Sequence, residues 1–176
     1  SCLSCPQDAT SVEGSSSLDQ CTCKEGYETR DDYDTSMGCL PCAAGMYKEF
    51  AAQAACVSCP EGFYTETPAS TYCKACPPGR TSFLASQTLA DCYCKPGTVG
   101  PPGGEGSCVS CPKGKASATG GAGPCDDCTP GKYSDAMGRS ECSLCAWGTY
   151  SELIGSTQKC DGGMISGCMR HISRCT

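Results

Sequence analysis

The sequence predicts a small disulfide-rich fold: an elongated tandem array of short β/turn units, with little helix and no single large core. Of its 176 residues, 21 are cysteine, a share typical of disulfide scaffolds in secreted chains. Aromatic residues make up only 7 %, and long aliphatic runs are absent, so few side chains are available for one large core. Because apolar burial alone cannot offset the chain entropy lost on folding, covalent bridges must contribute to stability.

The cysteines occur in close pairs at steps of 16 to 19 residues, and we define a repeat as one pair with the residues up to the next pair. Such self-similarity is typical of repeat proteins, in which each repeat contacts mainly its neighbours. The pairs begin at Cys2, Cys21, Cys39, Cys56, Cys73, Cys92, Cys108, Cys125 and Cys142, and a single Cys160 stands where a tenth would begin.

A turn is predicted after each pair, because in eight of nine repeats a glycine stands three positions beyond the second cysteine. Glycine at such a place favours a backbone with positive φ, and Asp8, which replaces it in the first repeat, also tolerates that conformation. Tyrosines one or two positions beyond the turn are expected to pack on neighbouring disulfides: Tyr27, Tyr47, Tyr64, Tyr133 and Tyr150. Helix signals are weak, with one helical turn at most over residues 48–55.

A longer period is superimposed on the short one. Seven pairs are C-x-x-C, whereas the pairs at Cys21 and Cys92 are C-x-C and lie 71 residues apart. Further matches at the same offset predict a duplicated four-repeat block. The predicted domains are a first block over 2–72, a second over 73–141, the start of a third over 142–160, and an atypical C-terminal tail or cap over 161–176. Residues 101–104, with the sequence Pro-Pro-Gly-Gly, are predicted to form a hinge.

The most economical disulfide pattern joins the second cysteine of each pair to the first cysteine of the next. An alternative, first to first and second to second between adjacent pairs, is left open by the spacing. Cys2 has no partner in the preferred pattern and is expected to be unpaired or inter-chain. The predicted bridges are Cys5–Cys21, Cys23–Cys39, Cys42–Cys56, Cys59–Cys73, Cys76–Cys92, Cys94–Cys108, Cys111–Cys125, Cys128–Cys142, Cys145–Cys160 and Cys168–Cys175.

Charge and composition restrict the partners. The net charge of −6 divides into −8 for residues 1–72 and +2 for residues 73–176, which is compatible with scattered surface charge or with head-to-tail attraction between chains. Neither half resembles a nucleic-acid binder. No stretch approaches the roughly 20 apolar residues of a membrane span. The chain contains no asparagine and so no N-glycosylation acceptor, whereas O-linked glycan on residues 15–17 is compatible with the sequence.

Catalytic and metal chemistry have little support. Paired C-x-x-C motifs can bind zinc, but here they form a continuous series with no grouping into fours and with one histidine in the whole chain, His171. Redox C-x-x-C chemistry needs a βαβ setting. The sequence shows no helical periodicity, so it does not predict such a setting. Asp31, Asp32 and Asp34 lack the spacing of a calcium loop and are expected to be a solvated acidic segment. We therefore predict no catalytic, cofactor-binding or metal site.

The motif C-x-x-C-P-x-G-x-Tyr over residues 56–64, followed by Cys73 to Pro77 and Cys92 to Gly97, resembles the cysteine-rich, ephrin-receptor-like repeats related to EGF-like and TNF-receptor-like modules. The resemblance covers about residues 2–160. Long arrays of such repeats are similar to those in surface and extracellular-fibre proteins of protists and algae, including mastigoneme-type proteins. The resemblance implies a secreted or surface location and says little about activity, because one fold hosts many functions.

From these observations we predict a non-enzymatic, extracellular structural rod that forms part of a filament or surface coat through head-to-tail or lateral assembly. Its expected partners are copies of itself or other fibre components. The alternative is a spacer or ligand-binding segment of a receptor or adhesin ectodomain, with binding at residues 31–34 or 169–174. A third hypothesis is a secreted inhibitor or toxin-like module. The chain begins within the repeat pattern and shows no signal peptide, so we expect a mature product or a segment of a longer protein.

Overall fold

The computed structural model describes residues 2–29 and 38–160, and the architecture below is that of these residues. Its regular structure consists of short strands and two single turns of 3-10 helix, Leu18–Gln20 and Leu89–Asp91. The strands are β1 Ala9–Thr10, β2 Thr22–Cys23, β3 Tyr27–Thr29, β4 Cys39–Pro41, β5 Met46–Tyr47, β6 Val57–Ser58, β7 Phe63–Tyr64, β8 Lys74–Ala75, β9 Arg80–Thr81, β10 Tyr93–Cys94, β11 Thr98–Val99, β12 Val109–Ser110, β13 Lys115–Ala116, β14 Asp126–Asp127, β15 Lys132–Tyr133 and β16 Ser143–Leu144.

Each strand pairs antiparallel with one neighbour, so that β1 pairs with β2, β3 with β4, and so on to β15 with β16. In every such sheet the first strand follows the turn of one repeat and the second lies at the next cysteine pair. The register places Ala9 opposite Cys23 in the first sheet and Arg80 opposite Cys94 in the fifth. The strands stay at two or three residues because a new turn begins shortly after each cysteine pair.

The interior of the described chain consists mainly of disulfides. Most buried apolar residues are cysteines, and one buried cluster contains Cys21, Cys23, Cys39 and Ala9, with Tyr27 packed against it. The predicted packing of a tyrosine on a disulfide is therefore present at Tyr27. The fold-class prediction of a small disulfide-rich array of β/turn units, with little helix and no single large core, is confirmed.

The two 3-10 turns lie 71 residues apart, at matching places in the repeat pattern, and sequence analysis did not predict them. In the first turn the side-chain amide oxygen of Gln20 accepts hydrogen bonds from the backbone N–H groups of Ser16 and Ser17. In the second, the carboxylate of Asp91 accepts bonds from Gln87 and Thr88, both at 2.8 Å. A side chain three residues into the turn thus satisfies the free donors at its start.

The glycines that follow the cysteine pairs adopt the expected positive φ, as does Asp8 at +58°. At several of them the backbone of a later repeat also approaches closely. A Cβ built on Gly45 would lie 2.3 Å from the carbonyl oxygen of Ala85, whereas at Gly62 the nearest atom would be Thr81 Oγ1 at 3.6 Å. Gly26, Gly97 and Gly114 resemble Gly45 in this respect.

The chain divides into two compact units. Among the described residues, one unit lies within Ser1–Cys94 and Gly100–Cys108, and the other comprises Lys95–Val99 with residues 109–160. The first unit contains both 3-10 turns and the first five sheets, and the second contains the last three. This division by compactness does not bear on the predicted four-repeat blocks, which describe similarity along the sequence and stay a prediction.

Gly45→Ala and Gly62→Ala form a matched pair of substitutions, because φ is +81° at Gly45 and +82° at Gly62. In both variants the free energy of unfolding should fall by about 1–2 kcal/mol, because alanine is strained in the left-handed backbone conformation. Gly45→Ala should lose roughly 1–3 kcal/mol more, because its Cβ overlaps the Ala85 carbonyl and the neighbouring repeat must shift. Denaturant unfolding with intact disulfides measures the difference. Equal losses would show that the close approach is not maintained in solution.

Candidate functional site

Nine disulfides join successive cysteine pairs in the described residues, each from the second cysteine of one pair to the first cysteine of the next. The Cα–Cα distances run from 5.1 to 5.8 Å, within the usual range for disulfides. With cysteines 14 to 16 residues apart in sequence, each bridge is worth about 3 kcal/mol by the chain-entropy estimate. The bridges are Cys5–Cys21, Cys23–Cys39, Cys42–Cys56, Cys59–Cys73, Cys76–Cys92, Cys94–Cys108, Cys111–Cys125, Cys128–Cys142 and Cys145–Cys160.

These nine bridges join the same cysteines as nine of the ten pairs predicted from sequence. The tenth predicted pair, Cys168–Cys175, lies outside the described residues. Cys2 is exposed and unbridged in the structure. An inter-chain bond at Cys2 stays a prediction.

In four of the described repeats, backbone hydrogen bonds connect one repeat to the next two. The N–H of Gly45 donates to the carbonyl of Thr65 at 2.9 Å, and the Gly45 carbonyl accepts from the N–H of Cys59 at 2.8 Å. The Cys59 carbonyl then accepts from the N–H of Ala85, in the repeat beyond, at 2.9 Å. The same three bonds recur around Gly26, Gly97 and Gly114, although the residues that supply the other backbone groups differ in type. The contact between repeats is therefore made of main-chain groups.

The residue six positions beyond the second cysteine is buried in several repeats, although its polar character suggests exposure. Hydroxyl groups at this place donate to backbone carbonyls: Ser82 Oγ donates to the carbonyl of Phe63, in the preceding repeat, at 2.8 Å, and Ser134 Oγ donates to the nearby Ala136 carbonyl at 3.0 Å. Sequence analysis missed this position, and recurrence at a constant offset was the available signal. The buried residues at this offset are Lys48, Thr65, Ser82, Ser117 and Ser134.

Lys48 places a cation at this buried position. Its ammonium group donates to the carbonyl of Tyr27 at 2.7 Å and to the carbonyl of Ala52. Burial lowers the pKa of Lys48, and the nearby carboxylate of Glu28 opposes that shift. The Glu28 carboxylate itself accepts a bond from the N–H of Cys56 at 2.8 Å. Lys48 thus links the backbone at Tyr27, in the preceding repeat, to the backbone at Ala52 in its own repeat.

Arg80 holds a second buried cation and is only 4 % exposed. One guanidinium nitrogen donates to the Cys92 carbonyl at 3.0 Å, and the other donates to the carbonyls of Pro101, Glu105 and Gly106. Residues 101–104, predicted as a hinge, therefore adjoin a guanidinium that binds the carbonyls of residues 101, 105 and 106. At the matching place in the first block stands Ala9, which has no such group.

Within the described ranges, no three His, Cys, Asp or Glu side chains are placed to hold a metal ion. The cysteines considered as zinc ligands are bridged there, except for Cys2. The candidate calcium residues Asp31, Asp32 and Asp34, and also His171, lie outside the described residues. No helix in the described part of the chain is long and apolar enough to cross a membrane.

A shallow open cleft in the second compact unit is lined by residues that include Asp126, Asp127, Lys132 and Glu141. Lys115 forms an ion pair with Asp127 at 2.9 Å beside it, and both side chains are well exposed. Exposed pairs of this kind contribute little to stability. The cleft combines both signs of charge and contains no arrangement that indicates a particular ligand.

The chain matches the family model described as tyrosine-protein kinase ephrin type A/B receptor-like over residues 32–76, 51–92 and 114–161. These segments together cover more than half of the chain. The chain belongs to the ephrin-receptor-like repeat family. The chain is also similar to cysteine repeat modular protein A of Toxoplasma gondii, with 42 % identity over 52 residues, which cover 29 % of this chain and 2 % of that protein. The resemblance named from the cysteine motifs is therefore confirmed.

Arg80→Met should destabilise the protein by about 2–4 kcal/mol, because it leaves buried carbonyls without their charged donor. Arg139→Met is the matched control: Arg139 is exposed and paired with Asp135 at 3.1 Å, so its loss should cost less than about 1 kcal/mol. Denaturant unfolding gives both values. If the two variants prove equally stable, the Arg80 bonds do not support the fold.

Asp91→Ala and Gln20→Ala should differ in the pH dependence of their effect on stability. Each should cost about 1 kcal/mol at pH 7 through loss of the bonds at the turn start. Hydrogen bonds, first that from the Thr88 N–H, lower the pKa of Asp91 in the folded state. The Asp91 contribution is thus full above its unfolded pKa and is lost as pH falls through the folded pKa, whereas Gln20 does not titrate. Denaturant unfolding at pH 7 and in acid measures the loss of stability of both variants. A loss for Asp91→Ala that does not change with pH would contradict the role of the Asp91 carboxylate at the turn start.

Proposed function

We propose that this chain is a structural, non-enzymatic segment of an extracellular filament or surface coat, acting as a rod that assembles head to tail or laterally. The observation that carries the proposal is the recurring contact between repeats, made of one disulfide and three backbone hydrogen bonds. A contact of this kind needs no particular side chains beyond cysteine and glycine. An array built on it can be lengthened by adding repeats, which is the property a structural filament requires.

Family membership supports an extracellular repeat protein. Dense disulfides form and persist in oxidising compartments, outside the cytosol. With a bridge at each step, every repeat is held covalently to its neighbour. Local opening of one repeat then leaves its ends tethered, and this suits a protein exposed to the medium.

Exposed apolar side chains in the last described sheet and the loop after it support lateral assembly. Trp147 is the only tryptophan and is fully exposed, and Leu144, Leu153 and Ile154 are each at least 70 % exposed. Other repeats carry glutamine, alanine, glutamate, proline or lysine at the place of Trp147. Tryptophan is among the residues most enriched at the centres of protein interfaces.

Concentrated protein with intact disulfides should form oligomers or fibres visible by electron microscopy and sedimentation. Trp147→Ser should reduce lateral association at least about tenfold, because the apolar anchor is lost. Phe50→Ser is the matched control, since Phe50 is also exposed, at 69 %, but belongs to another repeat. Association driven by the opposite charge of the two halves should weaken with salt, unlike apolar association. Dispersed monomers at high concentration would contradict the proposal.

A second candidate function is a spacer or ligand-binding segment of a receptor or adhesin ectodomain. The match to a receptor-like family model favours it. Binding would then localise to a segment outside the repeat pattern, namely residues 31–34 or 169–174. Alanine substitutions in these two segments would abolish partner binding in that case and leave fibre formation unchanged.

A further inference from the structure

Two aromatic rings are in contact at the surface of the first compact unit. The ring centroids of Phe83 and Tyr93 lie 4.9 Å apart, and the ring planes meet at 34°. Phe83 is 69 % exposed and the next residue, Leu84, is 65 % exposed, whereas Tyr93 is half-buried. We call Phe83, Leu84 and Tyr93 the Phe83 surface. It places large apolar side chains in contact with solvent in a chain that has few of them.

The backbone that carries the Phe83 surface is fixed by hydrogen bonds. Phe83 begins a turn over residues 83–86, in which the hydroxyl of Ser86 donates to the Phe83 carbonyl at 2.8 Å. The N–H of Ala85 donates to the carbonyl of Cys59, in the preceding repeat, at 2.9 Å. A surface whose backbone is already ordered loses little conformational entropy when a partner binds.

The fold does not require large apolar side chains in this turn. The turn over residues 67–70 has the same bonds, from the Ser70 hydroxyl to the Thr67 carbonyl at 2.6 Å and from the Ala69 N–H to a cysteine carbonyl at 2.9 Å. Its first two residues are threonine and proline. The exposed side chains of the Phe83 surface are therefore not needed for the turn or for the contact between repeats. Exposed apolar side chains that adjoin one another indicate a binding surface.

Carboxylates adjoin the segment that carries the Phe83 surface. The Asp91 carboxylate accepts two backbone N–H bonds, both at 2.8 Å, from the residues that directly follow the turn. The Glu66 carboxylate, in the preceding repeat, accepts a bond from the N–H of Leu89 at 3.2 Å. Residues 81–94 contain no lysine or arginine. Negative charge is thus held beside the exposed rings.

We propose that the Phe83 surface binds a basic polypeptide segment that presents a large apolar side chain next to an arginine or lysine. The apolar side chain packs on Phe83 and Leu84, and the cation lies against the rings and the neighbouring carboxylates. Aromatic faces attract cations, and opposite charges across an interface select the partner. This interaction goes beyond the proposed self-assembly, because the partner is a different polypeptide.

Charge complementarity decides the occupant. Residues 1–72, which include Glu66, carry a net charge of −8, and this attracts a basic partner. A second copy of this chain fits less well, because a symmetric pairing of two Phe83 surfaces would bring the same carboxylates face to face. Like charges in that position act against association.

The test titrates the whole chain, with intact disulfides and as dilute monomer, into a fluorescein-labelled peptide of repeated Arg-Leu-Gly units. Peptides of repeated Arg-Ser-Gly and Glu-Leu-Gly units are the comparison probes, since the first lacks the apolar side chain and the second reverses the charge. Fluorescence anisotropy should show saturable binding of the Arg-Leu-Gly peptide, at least about tenfold tighter than that of either comparison peptide.

Phe83→Thr combined with Leu84→Pro gives the turn the residues with which the turn over 67–70 already folds. This double variant should keep its disulfides and bind the Arg-Leu-Gly peptide at least about tenfold more weakly, because the apolar anchor is lost. Phe50→Ser is the matched control, since Phe50 is also 69 % exposed but lies in another repeat. Its Kd should stay within about twofold of the unsubstituted chain.

Glu66→Gln separates the charge from the hydrogen bond, because glutamine keeps an oxygen that can accept from the Leu89 N–H. Binding of the Arg-Leu-Gly peptide should weaken about threefold at low salt and change little at high salt, where exposed charges are screened. An unchanged Kd at low salt would contradict a role for this carboxylate in selecting a basic partner.

The proposal is overturned if either comparison peptide binds as tightly as the Arg-Leu-Gly peptide, if the double variant keeps its Kd, or if Phe50→Ser loses binding equally. Loss of fibre formation by the double variant would make a second copy the occupant and would also overturn it. Trp147→Ser should leave peptide binding unchanged. Failure of lateral assembly and failure of the Phe83 surface are therefore distinguishable.

Discussion

In four of the described repeats, three consecutive repeats meet at the second cysteine of a pair. Cys59 is fully buried, bonds Cys73 through its sulfur, donates its N–H to the Gly45 carbonyl and accepts the Ala85 N–H on its own carbonyl. The turn glycine lies beside this residue and has to be without a side chain, because the carbonyl of the later repeat occupies the place of a Cβ. Removal of either residue would separate segments that the rest of the chain has few apolar contacts to hold.

This arrangement explains how a chain with so few large apolar residues can be ordered. The disulfide reduces the freedom of the unfolded chain, the backbone bonds satisfy main-chain groups that would otherwise be buried without partners, and small hydroxyl residues fit where two segments cross. Lys48 and Arg80 stabilise the fold with a buried cation, since each donates to two or more backbone carbonyl oxygens. Buried charge is tolerated here because several backbone acceptors surround it.

Function on such a scaffold depends on what the repeats leave exposed. The repeat contact uses main-chain groups, so the exposed positions of the arcs between cysteines can differ in side chain without loss of that contact. Trp147 and its exposed neighbours occupy one such arc.

Cysteine spacing and the glycines at constant offset were sufficient to predict the repeats, the turns with positive φ and the family, because these features depend on residues close together in sequence. The same spacing left two disulfide patterns open. The buried hydroxyl position, the bonds of Lys48 and Arg80 and the close approach at Gly45 could not be predicted in this way. They depend on backbone segments that other repeats supply, such as Ser86 for Thr65, Pro101 for Arg80 and Ala85 for Gly45. The local sequence of Thr65 or Arg80 does not show that a later segment covers it. Local spacing therefore specified the repeat, and only the packing of one repeat against another decided which polar residues are buried.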